Sequence, residues 1–356
     1  MTRASKMAFA LVCLVLAGVV TEGVARQFAP ARYDPLPMPT RGQIAPGPAA
    51  AIERAKGAHA NEFALLRSRD FGWTLTPATT ERWGDLIYRY NTAGFRGPEL
   101  APPPLGGVRL FSVGDSSTFG HGVSEPDIYT HVAAALLRER WQRPVDVFIG
   151  AIPGHDSVAS SSVVERLGPA VGPSWLVLAN LWSDLIARAD PGWETPMRAS
   201  ATYRLLQQWL APWSRPRSVG WLLDMSDAGT LDGVHRVRID SYRENLRRMI
   251  RGAAALGART VVVSLAAPVD LDQGQVPAVI RAYRAVQREV AAESDSLLLD
   301  VPSLVFERDA DLAWWMDQVH PTVVGHQRIG EALADLLTEA GPPPEGATAY
   351  PPPAAP

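Results

Sequence analysis

The chain has 356 residues, of which 47% are hydrophobic and 20% charged, with a net charge of −3 and a pI near 6.2. That length is enough for one large domain or two modest ones with a sizeable core. The balanced charge excludes a broad basic surface for nucleic acid, and the local cluster from Arg243 to Arg251 falls on a helical pattern and reads as a solvated face.

The chain opens with the cationic stretch Met1-Thr2-Arg3-Ala4-Ser5-Lys6, followed by an apolar run of 14 residues from Met7 to Val20 and then Glu22. A spanning helix needs about 20 apolar residues, so the run fits the core of a signal peptide, with Gly23-Val24-Ala25 ahead of a cut at Arg26. The alternative is an uncleaved anchor that associates with the inner membrane through residues 7–20. Cys13 is the single cysteine and lies inside this run, so a chain starting at Arg26 has no thiol, disulfide or cysteine metal site. The expected location is periplasmic or secreted, or else anchored at the inner membrane.

Residues 26–105 read as a Pro-rich linker and an N-terminal extension. Within them Phe71-Gly72-Trp73-Thr74-Leu75 and Leu86-Ile87-Tyr88-Arg89-Tyr90 look like short strands, and Asn91 to Glu99 is rich in turn residues. Residues 60–100 are expected to pack on the main domain. Beyond Val108, apolar runs alternate with helical periods. Strands are predicted at Val108–Val113, Val145–Ile149, Trp175–Asn180, Thr260–Leu265 and Ser296–Val301. A helix following Asp240 carries Tyr242, Leu246, Met249, Ile250 and Ala253 on one face, with Asp240 placed to cap it. Another, from Gly325 to about Leu337, buries Ile329, Leu333 and Leu336. Such alternation implies an α/β domain, a parallel sheet with helices on both faces, spanning 106–340. An insertion at 187–239, rich in Trp and Pro, is either a lid or a helical pair packed on the domain. The tail 341–356 is rich in Pro and Ala and is expected to be disordered.

Sites in such sheets lie beyond the carboxyl ends of strands. Ser116 in Gly114-Asp115-Ser116-Ser117-Thr118-Phe119-Gly120 falls just past the first strand, and Asp317-Gln318-Val319-His320-Pro321 falls before the last helix. With a spacing of three, the Asp317 carboxylate can hold one nitrogen of His320, and the other nitrogen can then take the proton of a hydroxyl. A developing oxyanion also needs donors. The N–H of Ser116 is one, and that of Gly154, in a loop after the second strand, is another. His121 and His155 read as pocket-wall or surface residues, Asp115 as a structural hydrogen-bonding group, and Trp314 and Trp315 as anchors of the Asp-His loop.

These blocks resemble the SGNH (GDSL-type) hydrolases, in the form found in exported bacterial members. The resemblance covers about residues 106–340. It implies a flavodoxin-like three-layer α/β/α sandwich with about five parallel strands, a Ser116-His320-Asp317 triad, and Gly154 as an oxyanion glycine. Asn91 to Glu99 resembles a segment found ahead of this domain in exported members. The third block departs from the family's Gly-x-Asn-Asp: here Asn180-Leu181-Trp182-Ser183-Asp184 places Ser183 at the Asn position. The Ser183 hydroxyl can donate, or the Asn180 amide can reach in by another loop path; if neither does, one donor is missing, at a cost of about 2.7–4 kcal/mol of transition-state stabilisation.

No P-loop, dinucleotide fingerprint or dense metal-ligating set is visible, so no cofactor and no metal are expected. The reading is an exported serine esterase or deacylase acting on a small-molecule or glycan ester. Two alternatives stay open: an O-acyltransferase acting on an envelope glycan, and a catalytically weak glycan-binding or scaffold protein.

Overall fold

The computed structural model describes residues 3–28, 44–45, 63, 65–68, 70–185, 200–210, 235–271, 276–308 and 310–343. Most of the 26–62 linker, most of the 187–239 insertion and the tail beyond 343 lie outside the described residues.

Helix α1, Arg3–Phe28, runs unbroken across the Ala25–Arg26 junction. In the extension, strands β1 (Leu65–Ser68) and β2 (Gly72–Leu75) pair antiparallel, as do β3 (Thr80–Trp83) and β4 (Leu86–Arg89). Leu75, Tyr88 and Phe95 are fully buried in the same core as the residues that follow, so the extension packs on the main domain.

The central sheet is built from β5 (Val108–Gly114), β6 (Val145–Ile149), β7 (Trp175–Ala179), β8 (Arg259–Ser264) and β9 (Leu297–Asp300). All pairings are parallel, in the order β6-β5-β7-β8-β9. Every residue of β5 and β7 is buried, which is why β7 reads as a continuous apolar run, and β5 as one broken only by Arg109 and Ser112, rather than as alternating strands. Fully burying one such Val, Leu or Phe contributes about 1.5–3 kcal/mol.

The connecting helices are α2 (Ser116–Phe119), α3 (Tyr129–Trp141), α4 (Ser157–Val171), α5 (Trp182–Leu185), α6 (Ala201–Leu210), α7 (Ile239–Ala255), α8 (Ala278–Glu293), α9 (Val301–Glu307) and α10 (Val323–Glu339). From β5 the chain steps outward to β6 and then returns to β7 on the other side. Right-handed crossovers therefore place α3 and α4 on opposite faces. On one face α3 packs on α10; on the other α4 packs on α7, and α7 on α8. The result is the expected three-layer α/β/α sandwich with a switch point beside β5, where sites of this fold class form. The α3–α10 crossing is close because Gly330 has no side chain: a Cβ there would sit 2.6 Å from that of Val132.

Some boundaries differ from those predicted. Asp240 is not the cap of α7: Arg238 holds the extended cap position and Asp240 sits in the first turn, where its charge faces the positive helix end. The last helix starts at Val323, two residues early, because the Thr322 hydroxyl accepts from the Gly325 N–H at 3.3 Å. It buries Ile329, Leu333 and Leu337, while Leu336 is half-buried. Val301 opens helix α9 instead of ending a strand.

Candidate active site

Ser116 opens α2 directly after β5, and Asp115 caps that turn. One carboxylate oxygen of Asp115 accepts from the Ser117 N–H at 3.0 Å and the other from the Ser183 N–H at 3.2 Å. Asp115 thus ties the first block to the third. Its carboxyl is fully buried, and burial raises its pKa from the ordinary value. This is the structural role expected for it.

The Asp-His loop is held from several sides. The Ser117 hydroxyl donates to the Val319 carbonyl at 3.0 Å, and the Trp315 indole donates to the Ala266 carbonyl at 3.3 Å. Trp314 and Trp315 are both buried. Trp315 and Pro321 form an antiparallel bridge, and the Met316 N–H donates to the His320 carbonyl at 3.0 Å. Gly325 lets α10 come close: a Cβ there would lie 2.2 Å from the Trp314 carbonyl oxygen.

These supports bring Ser116, His320 and Asp317 into one hydrogen-bonded line. His320 Nε2 lies 2.7 Å from Ser116 Oγ, and His320 Nδ1 lies 2.6 Å from Asp317 Oδ2. Asp317 Oδ1 accepts from the N–H groups of Val319 and His320, at 2.9 and 2.8 Å. Burial pushes the Asp317 carboxyl up, but the His320 ring and the two N–H donors outweigh it and hold it well below the usual carboxylate range. The carboxylate therefore keeps its charge, which fixes the proton of a neutral His320 on Nδ1 and leaves Nε2 free to accept from Ser116.

His121 lines this site. Its ring lies against that of His320, centroids 4.4 Å apart, and is flanked by Phe63 and Trp83 of the extension. Burial, followed by the neighbouring His320, lowers its pKa to about 4, so the ring is neutral at pH 7. His155, by contrast, is fully buried: Nε2 bonds the Trp73 carbonyl at 3.0 Å and burial lowers its pKa to about 3. It belongs to the core, not to a pocket wall or the surface.

Gly154 adopts a left-handed φ of +81°, and a Cβ there would meet the Trp73 ring at 3.3 Å. Asn180 is fully buried. Its carbonyl accepts from the Tyr242 hydroxyl at 2.5 Å and from Gln287 Nε2 at 2.9 Å. Neither polar atom of the Asn180 side chain has a partner among the described residues. Ser183 is buried beside it, with its N–H committed to Asp115. Asp184 accepts from the Ser157 N–H with both oxygens and is pushed well up by burial and by the Asp156 carboxylate.

Among the described residues no group of three or more His, Cys, Asp or Glu is placed to hold a metal ion. An open hollow of about 580 Å³ lies behind the Asp-His loop, lined by residues such as Arg308, Trp314 and Arg328, but it includes none of Ser116, Asp317 or His320.

Sequence reasoning missed one residue at the site. Arg96 of the extension is buried against α2 and donates to the carbonyls of Phe119 and Gly120 at its end and of Val123 in the loop that follows. The available signal was its place in the turn-rich Asn91–Glu99 segment.

Residues 179–328 match the GDSL-like Lipase/Acylhydrolase family. The match includes the Asp317–His320 block and begins downstream of Ser116. No curated protein matches the chain. Similar solved structures include LAE5, an alpha/beta hydrolase enzyme from the metagenome of Lake Arreo, Spain, 16% identical, covering 65% of this chain and 96% of its own, with a TM-score of 0.45. TesA is 19% identical over 65% of this chain and 98% of its own, TM-score 0.42. Axe2, an acetylxylan esterase from Geobacillus stearothermophilus, is 18% identical over 64% of this chain and 93% of its own, TM-score 0.44. The family match, with the Asp-x-x-His block inside it, places a GDSL-like lipase/acylhydrolase segment at residues 179–328 and supports ester hydrolysis as the chemistry of the chain.

Proposed function

We propose that this protein is an exported esterase that cleaves carboxylic esters through an acyl-enzyme on Ser116. The observation that carries the reading is the unbroken hydrogen-bond line from Asp317 through His320 to Ser116 Oγ. His320 Nε2 takes the Ser116 proton as Oγ bonds to the ester carbonyl carbon. The tetrahedral intermediate collapses, its C–O bond to the alcohol breaks, and His320 returns the proton to the leaving oxygen. Water then attacks the acyl-enzyme, giving its proton to His320, and Ser116 recovers that proton as the acid departs. Asp317 accepts the Nδ1–H throughout and stabilises the imidazolium.

The oxyanion is held by the N–H groups of Ser116 and Gly154, with either the Asn180 amide or the Ser183 hydroxyl as a further donor. The buried, unpartnered amide of Asn180 supports that residue, because buried polar groups rarely stay unpaired unless they have a use. Ser116→Ala should abolish hydrolysis of a short-chain aryl ester, and an aryl phosphonate should label the parent at Ser116. Undiminished turnover by the purified variant sinks this reading.

Export is part of the proposal, and two features favour retention of the N-terminal segment over its cleavage. Helix α1 continues through Arg26, and Glu22 caps α6 by accepting from the Ser200 hydroxyl and the Ala201 N–H, both at 2.7 Å, and from the Thr202 N–H at 3.1 Å. A cut at Arg26 would remove that cap.

A further inference from the structure

We propose that Arg96, supplied by the extension ahead of the sheet, is a positioning residue that fixes the Ser116 turn for attack; this rests on the reading of Ser116 as the nucleophile. Arg96 is 1% exposed, and its three side-chain hydrogen bonds go to backbone carbonyls, not to a carboxylate. Its Nη1 donates to the carbonyls of Phe119 at 2.9 Å and Gly120 at 2.7 Å, and its Nη2 donates to that of Val123 at 2.7 Å. The guanidinium also lies over the Tyr88 ring, 4.5 Å from its centroid.

Burial disfavours the Arg96 charge, and the Glu125 and Asp127 carboxylates favour it without forming a direct ion pair; a buried cation held this way is costly to the fold, and an apolar side chain could fill the same space more cheaply. What Arg96 provides instead is geometry. The last carbonyls of a helical turn carry partial negative charge and lack intrahelical partners, and the planar fork reaches those of Phe119 and the Gly120 cap, together with that of Val123 in the loop beyond. The fixing reaches the nucleophile in one further step. The N–H groups of Gly120 and His121 both donate to the Ser116 carbonyl, so the peptide that Arg96 grips is the one that grips Ser116. Tyr88 adds a second hold, its hydroxyl accepting from the Gly122 N–H at 2.9 Å. On its other side the turn is tied to the Asp-His loop through Ser117 and Val319. The alcohol is thus clamped between the extension and the loop that carries its base. Misplacement of a reacting group by about 1 Å can cost about 10²-fold in rate.

Arg109 serves as the control. It too is buried, at the opposite end of β5, and donates to the carbonyls of Ala101 and Val171 and to the Asp146 carboxylate. The experiment compares full-length Arg96→Met, Arg96→Lys and Arg109→Met at a temperature where each is folded by circular dichroism. It measures kcat and KM on a short-chain aryl ester and the rate of Ser116 labelling by an aryl phosphonate. For Arg96→Met, kcat and the labelling rate should fall together by about 10- to 100-fold with KM within about threefold, and Arg96→Lys should fall in between. Arg109→Met should lower the melting temperature and keep both rates within about threefold.

If Arg96→Met lowers only the melting temperature, as Arg109→Met does, the positioning role is overturned. Should Arg96→Met not fold, Arg96→Lys and Tyr88→Phe carry the test: slower labelling in folded protein supports the role, and the parental rate in both overturns it. A parent chain that the phosphonate fails to label at Ser116 instead overturns the catalytic reading, and the role of Arg96 with it.

Discussion

Replacing Asp317 by Asn probes the site through one proton. Asp317 Oδ1 accepts from two backbone N–H groups, and an Asn side chain would keep them by placing its carbonyl oxygen there. Its NH2 would then face His320 Nδ1, where Oδ2 now lies at 2.6 Å. Nδ1 would have to accept, the ring proton would move to Nε2, and Nε2 could no longer take the proton of Ser116 Oγ. Restoring the productive tautomer would set N–H against N–H. A wrong tautomer of this kind costs about 10⁴ in kcat in serine proteases. Because the Asp317 side chain is 46% exposed, screening weakens its hold on the imidazolium, so a loss of about 10²–10⁴ is expected here. Steady-state hydrolysis of an aryl acetate between pH 6 and 9 measures it, with unchanged circular dichroism showing that the loop persists. A variant within about fivefold of the parent across that range refutes the claim that Asp317 sets the tautomer of His320.

Three further outcomes follow from the same geometry. Asn180→Ala should lower kcat by about 10²–10³ with little change in KM if its amide serves the oxyanion, whereas Ser183→Ala should then stay within about threefold; the reverse pattern assigns the role to Ser183. His155 is neutral in the fold, with its pKa lowered to about 3 from 6.5, so the unfolded chain binds the proton first and stability is lost as pH falls from 6.5 toward 3. Between pH 6.5 and 5 that amounts to about 2 kcal/mol. Since Asp115 and Asp184, both raised, pull the other way, urea unfolding should compare the parent with His155→Gln, and equal acid sensitivity in the two rejects the assignment. The intact mass of protein recovered from the membrane or periplasmic fraction of a bacterial host should retain Glu22 and the residues before it; a mass beginning at Arg26 shows that the segment is removed.

The central strands were legible because they are buried: β7 is wholly apolar, and β5 is apolar apart from Arg109, Ser112 and its final Gly114, so their positions could be read to within a residue. Helix α7 was equally plain on its apolar face, but its start was misplaced, because Asp240 can serve the positive helix end from the first turn as well as from the cap. At the candidate site, the hydrogen-bonded line of Ser116, His320 and Asp317 could be anticipated because their residue types and local spacing suit such contacts. Arg96 could not, since an arginine in a turn-rich stretch looks solvated until the fold closes over it. The burial of His155 was hidden for a related reason: its partner is the carbonyl of Trp73, and a backbone acceptor leaves no mark in the pattern of side chains.

The alcohol and its base are 204 residues apart in the chain. At the usual pace of about 5–20 residues per second, a ribosome makes Ser116 roughly 10–40 s before it makes His320. On the proposed mechanism, the hydroxyl has until then no partner to accept its proton, and the growing polypeptide is chemically inert toward esters. Placing the imidazole so late delays the onset of reactivity until nearly all of the sandwich has been synthesised.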